Sequence, residues 1–268
     1  MAFSYNNLAI LYSDIQRLQE SEAMYKLAIA IRERLAKANP QAYDPDLAAS
    51  YNNLGNLYYA TLRFQESEEM YKSALAIRER LAKANQQAYE PDLSGSYYNL
   101  GNLYYATQRF QESEAMYKSA IAIRERLAKA NPHAYEPDLA ASYNNLAILY
   151  SNTQRFRECE AMYKSALAIY ERLAKANPQA YESALARSYN NLAIVYYGTE
   201  RIQECEELLK AAWMIRQRLE EDDPQLYGAD LAQSYSNLAI LYNATHRYAE
   251  SEEMANAAAE IRERLGIE

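Results

Sequence analysis

Cysteine and histidine, which serve as nucleophiles, bases and zinc ligands, are scarce in this 268-residue chain. There are two cysteines, Cys159 and Cys205, and two histidines, His133 and His246. The histidines lie far apart in sequence, and neither belongs to a pattern of neighbouring Cys, His or paired carboxylates such as a metal site usually needs. The motifs GxGxxG, GxxxxGKS/T, HExxH and GxSxG do not occur. The sequence therefore predicts no enzyme activity, no metal site and no cofactor.

A recurring amide side chain has the chemistry to bind a peptide. An asparagine recurs every 46 residues, at Asn7, Asn53, Asn99, Asn145, Asn191 and Asn237. An amide offers an acceptor and two donors, which match the C=O and N–H groups of a peptide backbone without demanding a particular sequence. A row of such amides could hold an extended chain. Alternatively, each amide bonds to the neighbouring repeat and fixes the stacking, and the sequence leaves both interpretations open.

These asparagines belong to a stretch that returns through the whole chain. The stretch Ser4-Tyr5-Asn6-Asn7-Leu8-Ala9-Ile10-Leu11-Tyr12 recurs with small changes at Ser50, Ser96, Ser142, Ser188 and Ser234. A fixed period of this size indicates a repeat protein, in which each unit buries its apolar face against its neighbours. We expect one array over residues 1–268. Its repeats lie at approximately 2–47, 48–93, 94–139, 140–185, 186–231 and 232–268.

Each unit is predicted to contain two helices, A and B. In helix A, Tyr51, Leu54, Gly55 and Tyr58 have the spacing of one apolar helical stripe. Its start is predicted at Asp44-Pro45, because proline suits the first helical position. A short turn containing an arginine in all six copies leads to helix B, at about residues 64–83. The segment between helix B and the next helix A is predicted to be a loop.

The side of helix A opposite the stripe carries little bulk and almost no charge. From Ser50 to Thr61 there is no charged side chain, and the equivalent segments of copies three to six share this property. An ordinary surface helix would carry Lys and Glu there. The candidate peptide-binding residues are Asn7, Asn53, Asn56, Asn99, Asn102, Asn145, Ile148, Arg187, Asn191, Ile194, Asn237 and Ile240.

The composition argues against some classes of binding partner. The net charge is −8, and no cluster of Lys and Arg stands clear of acidic residues, which argues against nucleic acid and anionic membranes. No apolar run approaches the roughly 18 residues of a membrane helix, and the first residues lack a signal-peptide pattern. We therefore expect a cytoplasmic protein with a protein or peptide partner.

The two cysteines are expected to stay unpaired. Cys159 and Cys205 are 46 residues apart, so they occupy the same place in successive repeats. Equivalent places in stacked helix pairs should be roughly 10 Å or more apart, since helices pack at about 8–10 Å. A disulfide needs Cα atoms within about 7 Å.

The repeat resembles the tetratricopeptide repeat. The residues that match its spacing are Tyr51, Leu54, Gly55, Tyr58, Phe64, Ser67, Tyr71 and Ala74. The longer period, with Asn-Asn-Leu-Ala in helix A and Tyr-Lys-x-Ala-x-x-Ile-Arg-Glu in helix B, looks most like the kinesin-light-chain type. Copies five and six depart from the pattern, with Leu209 and Ala255 in place of the helix B tyrosine.

The resemblance implies an all-α fold, a right-handed α-solenoid of six tandem helix-turn-helix repeats. It further implies a non-catalytic scaffold, with helix A lining a concave groove and helix B the convex back. The basic carboxylate clamp of chaperone-binding relatives is not matched, because this face has no lysine and Arg187 stands alone.

Two other classes of function stay open. The chain could be a sensor or regulatory segment of a larger signalling protein, or an engineered or self-stacking repeat array. Copy one begins at Phe3-Ser4-Tyr5 and resembles an internal unit, whereas terminal repeats normally need a polar outer face. Weak self-association through the repeat ends is therefore expected.

Overall fold

The computed structural model describes residues 1–267, which form twelve α-helices and no strand. The helices are α1 (Ala2–Asp14), α2 (Leu18–Ala38), α3 (Pro40–Ala60), α4 (Phe64–Ala84), α5 (Gln86–Ala106), α6 (Phe110–Ala130), α7 (Pro132–Asn152), α8 (Phe156–Ala176), α9 (Pro178–Gly198), α10 (Ile202–Asp222), α11 (Pro224–Ala244) and α12 (Tyr248–Leu265). Odd-numbered helices are the predicted A helices and even-numbered ones the B helices. The predicted all-α repeat fold is confirmed.

The helices form two compact units, Met1–Tyr135 and the part from Glu136 onward. In the first unit, each helix from α1 to α6 packs against the next one in the chain. In the second, the same is true from α8 to α12. Each unit is thus a stack of helix pairs, the arrangement from which α-solenoids are built.

The A helices begin earlier than the sequence predicted. Helix α3 starts at Pro40, not at Pro45. The Asn39 side chain accepts a hydrogen bond from the backbone N–H of Ala42, and Pro40 occupies the first helical position, where its missing N–H costs nothing. Pro45 lies inside the helix, at the expense of one backbone hydrogen bond. The same cap recurs at Asn85, Asn131, Asn177 and Asp223. The segment predicted to be a loop is therefore the first turn of the A helix.

Small residues hold the two helices of one repeat together. The hydroxyl of Ser67, which is fully buried, donates to the backbone carbonyl of Gly55 at 2.9 Å. Ser21 and Ser113 make the same bond in the flanking copies. A larger side chain at this position would push the helices apart.

In copy two, a glycine of helix A lies directly against a tyrosine ring of helix B. A Cβ placed on Gly55 would lie 2.6 Å from Cδ1 of Tyr71, so the ring covers the backbone of α3. The Tyr71 hydroxyl donates to Oδ1 of Asn56 at 2.7 Å. The third copy repeats this arrangement with Gly101, Asn102 and Tyr117. Copies one, four, five and six have Ala-Ile instead of Gly-Asn, so the amide that the tyrosine hydroxyl reaches is absent there.

Between repeats, a buried arginine of the B helix bonds to the next A helix. Arg32 is 4% exposed and donates to the hydroxyl of Ser50 and, at 3.1 Å, to the carbonyl of Asp46. Arg78 bonds to Ser96 and Arg216 to Ser234 in the same way, at 2.7 and 2.8 Å. A buried cation is tolerated only when its hydrogen bonds are made, so these contacts fix how successive repeats stack.

A second junction contact involves the turn arginine. Arg63 donates to Glu22 of the preceding B helix at 2.6 Å, and its guanidinium lies 4.2 Å from the centre of the Tyr58 ring. The Tyr58 hydroxyl and Lys26 reach the same carboxylate at 2.9 and 2.7 Å. Glutamates at the equivalent place form this cluster in three further copies: Glu68, Glu160 and Glu206. The cluster gives the turn arginines Arg63, Arg109, Arg201 and Arg247 a structural role.

Replacing two helical glycines by alanine should have opposite effects. Gly55→Ala should destabilise the protein by up to about 2 kcal/mol, since overpacking costs about 1–3 kcal/mol against a gain of about 1 in helix propensity. Gly95→Ala should stabilise it by about 0.5–1 kcal/mol, because Gly95 lies within α5 and an added Cβ meets nothing within 4 Å. Urea unfolding of the two variants and the wild type measures both values.

A double variant serves as the control for the steric argument. Gly55→Ala with Asn56→Ile recreates the Ala-Ile pair of copies one and four, which face Tyr25 and Tyr163. It should recover part of the lost stability. A double variant less stable than Gly55→Ala alone would contradict the proposed coupling of glycine, amide and tyrosine.

The junction glutamates should make the stability fall in acid. Burial opposes ionisation of Glu22, but hydrogen bonds from Arg63, Lys26 and Tyr58 outweigh it and lower its pKa from 4.5 to about 2. The same balance lowers the pKa of Glu160 to about 2. Because the folded-state pKa is the lower one, this stabilisation is complete above about pH 4.5 and is lost as the pH falls from 4.5 towards 2. Urea unfolding across this range should show the decline.

Replacing Glu22 tests whether the junction glutamates cause this loss of stability in acid. Glu22→Gln should lower the stability at neutral pH and leave a smaller loss between pH 4.5 and 2 than in the wild type. The control is Glu69→Gln, at an exposed glutamate of a B helix. Equal pH profiles for Glu22→Gln and the wild type would show that the cluster does not carry the effect.

Candidate peptide-binding surface

The candidate residues lie on the A helices, on the side away from the buried stripe. In α3, Leu54 is 2% exposed, whereas Asn53 is half-buried and Asn56 exposed. The other row asparagines are half-buried apart from Asn7, which is exposed. The predicted face exists, and it is partly covered by neighbouring helices.

In the first unit, this face contains a shallow depression between α1 and α3. It encloses about 320 Å³ and is lined by Ile10, Ser13, Asp14, Tyr25, Asn53, Asn56, Leu57 and Ala60. The amides of Asn53 and Asn56 are at its wall, beside the apolar Ile10. Asp14 is the one acidic residue of this lining, so the depression is more polar than the sequence pattern predicted.

In the second unit, the depression is smaller and almost wholly apolar. It encloses about 120 Å³ and is lined by Ile194, Tyr197, Cys205, Leu209, Asn237, Ile240 and Leu241. Ile194 is 54% and Ile240 58% exposed, a high fraction for isoleucine in a folded chain. Leu209 stands where copies one to four have the helix B tyrosine, and its side chain forms part of the wall of this space.

Two of the row asparagines bond across the repeat junction. The Asn99 amide donates to Oδ1 of Asn52 at 3.0 Å, and the Asn237 amide to Oδ1 of Asn190 at 2.5 Å. The Asn237 oxygen also accepts from Gln233 at 2.9 Å. In these two copies, the asparagine amide connects neighbouring repeats, as expected if it fixes the stacking. Each amide nitrogen retains a second hydrogen, so a binding role stays a prediction.

The remaining candidates differ in exposure. Ile148 is half-buried on α7, and Asn102 receives the Tyr117 hydroxyl described above. Arg187 is exposed at the start of the face on α9. Burial lowers the pKa of Arg216, and the nearby positive charge of Arg187 adds to that shift. Arg187 is thus a charged exception on a face otherwise formed by amides and isoleucines.

Sequence reasoning missed the depression of the second unit. It noted Leu209 as a departure from the repeat pattern but did not connect it to Ile194 and Ile240. The sequence feature that points to this depression is a leucine at a position where copies one to four have tyrosine, with isoleucines on the neighbouring A helices. Recognising it requires knowing that residues 15 and 31 positions from Leu209 in the chain are its neighbours in space.

The residues with catalytic potential are dispersed. In residues 1–267, no three His, Cys, Asp or Glu side chains are placed to hold a metal ion. His246 lies in the α11–α12 turn, with Nδ1 2.8 Å from the Tyr248 hydroxyl, and His133 lies in the first turn of α7 rather than in a loop. None of the helices in this range is long and apolar enough to cross a membrane.

Stacked pairs of helices, most of them 21 residues long, define a helical repeat protein. A family model described as tetratricopeptide repeat matches residues 1–80 and 92–172, and a second model of the same description matches 185–225 and 231–265. The chain therefore belongs to the tetratricopeptide repeat family. Proteins of this family generally mediate protein–protein interactions and are generally non-catalytic.

Solved structures share the fold. BtubC (BKLC) from P. vanneervenii is 26% identical, with a TM-score of 0.75 over 93% of this chain and 92% of that one. A putative kinesin light chain with nearly identical TPR-like repeats from Podosopora anserina is 23% identical, with a TM-score of 0.63 over 81% and 95%. The apo form of RapI is 13% identical, with a TM-score of 0.66 over 99% and 98%. A search of curated proteins finds no match.

The two thiols should be unreactive until the protein unfolds. Cys159 and Cys205 are free and at most 1% exposed, as predicted, at the position of the buried serines between helices A and B. Burial raises the pKa of Cys159 to about 12 and that of Cys205 to about 11. A thiol reagent at pH 8 should label the native protein slowly and two thiols per chain in denaturant. Fast labelling of the native protein would show that this helix contact opens.

Proposed function

We propose that this protein is a non-catalytic scaffold that holds an extended segment of a partner protein on the A-helix face. In this proposal, an apolar side chain of that segment enters the depression of the second unit. The observation that carries the proposal is the pair Ile194 and Ile240, both more than half exposed beside an apolar space of about 120 Å³.

The free energy available at this depression is sufficient for selective binding. Burying one large aliphatic side chain is worth about 1.5–3 kcal/mol, and covering the two isoleucines adds to it. Exposed apolar surface of this kind, framed by polar groups, marks interaction sites in soluble proteins. The lining has no charged side chain, so it selects for an apolar residue rather than for an acidic or basic one.

The amides beside the depression suit the backbone of the same segment. Asn237 is part of the lining, and its amide nitrogen uses one hydrogen on Asn190. The second hydrogen can bond to a peptide carbonyl. Such a contact is worth about 0.5–1.5 kcal/mol, which is less than the apolar contribution. The amides therefore orient the segment, and the isoleucines supply most of the affinity.

The alternative classes have less support. A role as a sensor or regulatory segment of a larger signalling protein has no observation of its own on this chain, and the likeness to RapI is one of fold alone. The cytoplasmic location stays a prediction from composition.

A random peptide library selected on the purified protein tests the proposal. The selected peptides should share one large apolar residue, and synthetic versions should bind at least about tenfold more weakly to Ile240→Asp, since about 1.4 kcal/mol corresponds to a factor of ten. Leu209→Tyr should weaken them as well, because it replaces an apolar wall of a space of only about 120 Å³ by a larger side chain with a polar hydroxyl. Isothermal titration calorimetry measures the affinities.

The matched control is Met214→Asp. Met214 is 63% exposed on the B helix α10, so the same change of charge falls on a comparably exposed apolar residue away from the A face. Its affinity should equal that of the wild type. Equal binding to Ile240→Asp and wild type, or a loss confined to Met214→Asp, would place the site elsewhere.

A further inference from the structure

Copy one exposes residues that every other copy buries. Leu11 is 53% exposed, whereas the equivalent residues are at most 6% exposed: Leu57, Leu103, Leu149, Val195 and Leu241. Tyr12 is half-buried, whereas its five equivalents are buried, and Ser4 is exposed, whereas its five equivalents are buried. We call Ser4, Tyr5, Leu11, Tyr12 and Arg17 the α1 face. In internal copies, the same positions lie against the B helix of the preceding repeat.

The internal junctions show which groups the α1 face is built to meet. Arg63 and Tyr58 bond to Glu22, the serine hydroxyl of Ser50 accepts from Arg32, and the Tyr51 hydroxyl donates to Glu33. The pairs recur elsewhere with the same spacing, as in Arg109–Glu68, Arg78–Ser96, Tyr97–Glu79 and Tyr189–Glu171. A helix that binds the α1 face therefore needs Glu, Arg and Glu at positions i, i+10 and i+11.

Helix α12 carries this set. Counting 230 residues, or five periods, from Glu22, Arg32 and Glu33 gives Glu252, Arg262 and Glu263. Glu252 and Glu263 are exposed. On the α1 face, Arg17 has one carboxylate partner, Glu20, whereas Arg63 has two. The two surfaces are complementary in charge, and each has the partners that the other lacks.

We propose that the α1 face binds α12 of a second copy of this chain, head to tail, in the manner of an internal junction. In register, Arg17 and Tyr12 meet Glu252, Ser4 meets Arg262, and Tyr5 meets Glu263. The two surfaces differ from each other, so the contact is heterologous and a third copy can add in the same way.

The contact is weaker than an internal junction for two reasons. Helix α1 has 13 residues where the other A helices have 21, so the surface that it offers to the contact is shorter. Helix α12 has the exposed Ala259 where α2, α4, α6 and α8 have Ile29, Leu75, Ile121 and Leu167. The apolar area buried is smaller, so association appears only at high protein concentration and declines with salt as the ion pairs are screened.

Charge reversal provides a test that separates this arrangement from others. By sedimentation, the mass of the wild type should rise with concentration. Arg17→Glu and Glu252→Arg, each alone, should associate at least about tenfold more weakly, since like charges then face each other across the contact. An equimolar mixture should regain association, because the unchanged Arg17 of one variant meets the unchanged Glu252 of the other. The two introduced side chains, when they meet, also have opposite charges.

The matched control is Lys83→Glu, which makes the same change of charge as Arg17→Glu at an exposed residue near the end of α4. It should associate like the wild type. A wild type that stays monomeric at all concentrations overturns the proposal. So does undiminished association of Glu252→Arg alone, which would indicate a contact between two α1 faces. A mixture that stays monomeric although both variants keep the helical circular dichroism and melting temperature of the wild type also overturns it.

Discussion

Burying a guanidinium between two helices is costly unless hydrogen bonds to oxygen atoms offset it, and the stacking of these repeats depends on such bonds. Arg32 and Arg78 meet it with a serine of the next A helix. Their position sets the register of each helix pair on the next. Copy four shows what happens without the arginine: Tyr170 takes its place, Asn144 bonds to Ser188 instead, and the Oδ1 atom of Asn144 is left buried without a partner.

Each A helix therefore has one side that packs on the preceding B helix and an opposite side that is open to a partner. The buried serine and the junction tyrosine bind an arginine and a glutamate of the preceding B helix, as Ser50 and Tyr58 bind Arg32 and Glu22. The opposite side then needs no ions for stability and can present amides and isoleucines to a partner. In Gly-Asn copies the amide is bonded to a tyrosine hydroxyl, as Asn56 is to Tyr71, whereas Leu209 lines an apolar depression beside two isoleucines. Differences between near-identical repeats therefore determine where the surface can accept a side chain.

The period and the apolar stripes were sufficient to predict the number, type and pairing of the helices. The start of the A helix was predicted wrongly because two prolines compete for the first position, and only the cap on Asn39 decides for Pro40. Whether Ile77 or Arg78 is buried could not be predicted, since both lie at the edge of the stripe. The bond between Asn99 and Asn52 and the depression beside Leu209 join residues of different repeats or helices, and their geometry depends on how those helices stack.

The connections between helices contain almost no spare chain. A single residue, such as Asn39, links each B helix to the next A helix, and three residues link A to B. Inserting one residue in a helix would turn everything beyond it by about 100°, since each residue of an α-helix advances that far. Unequal recombination between near-identical copies, by contrast, adds or removes 46 residues and leaves every junction intact. The length of such a stack can therefore change in whole repeats, whereas a change of a single residue within a helix disrupts it.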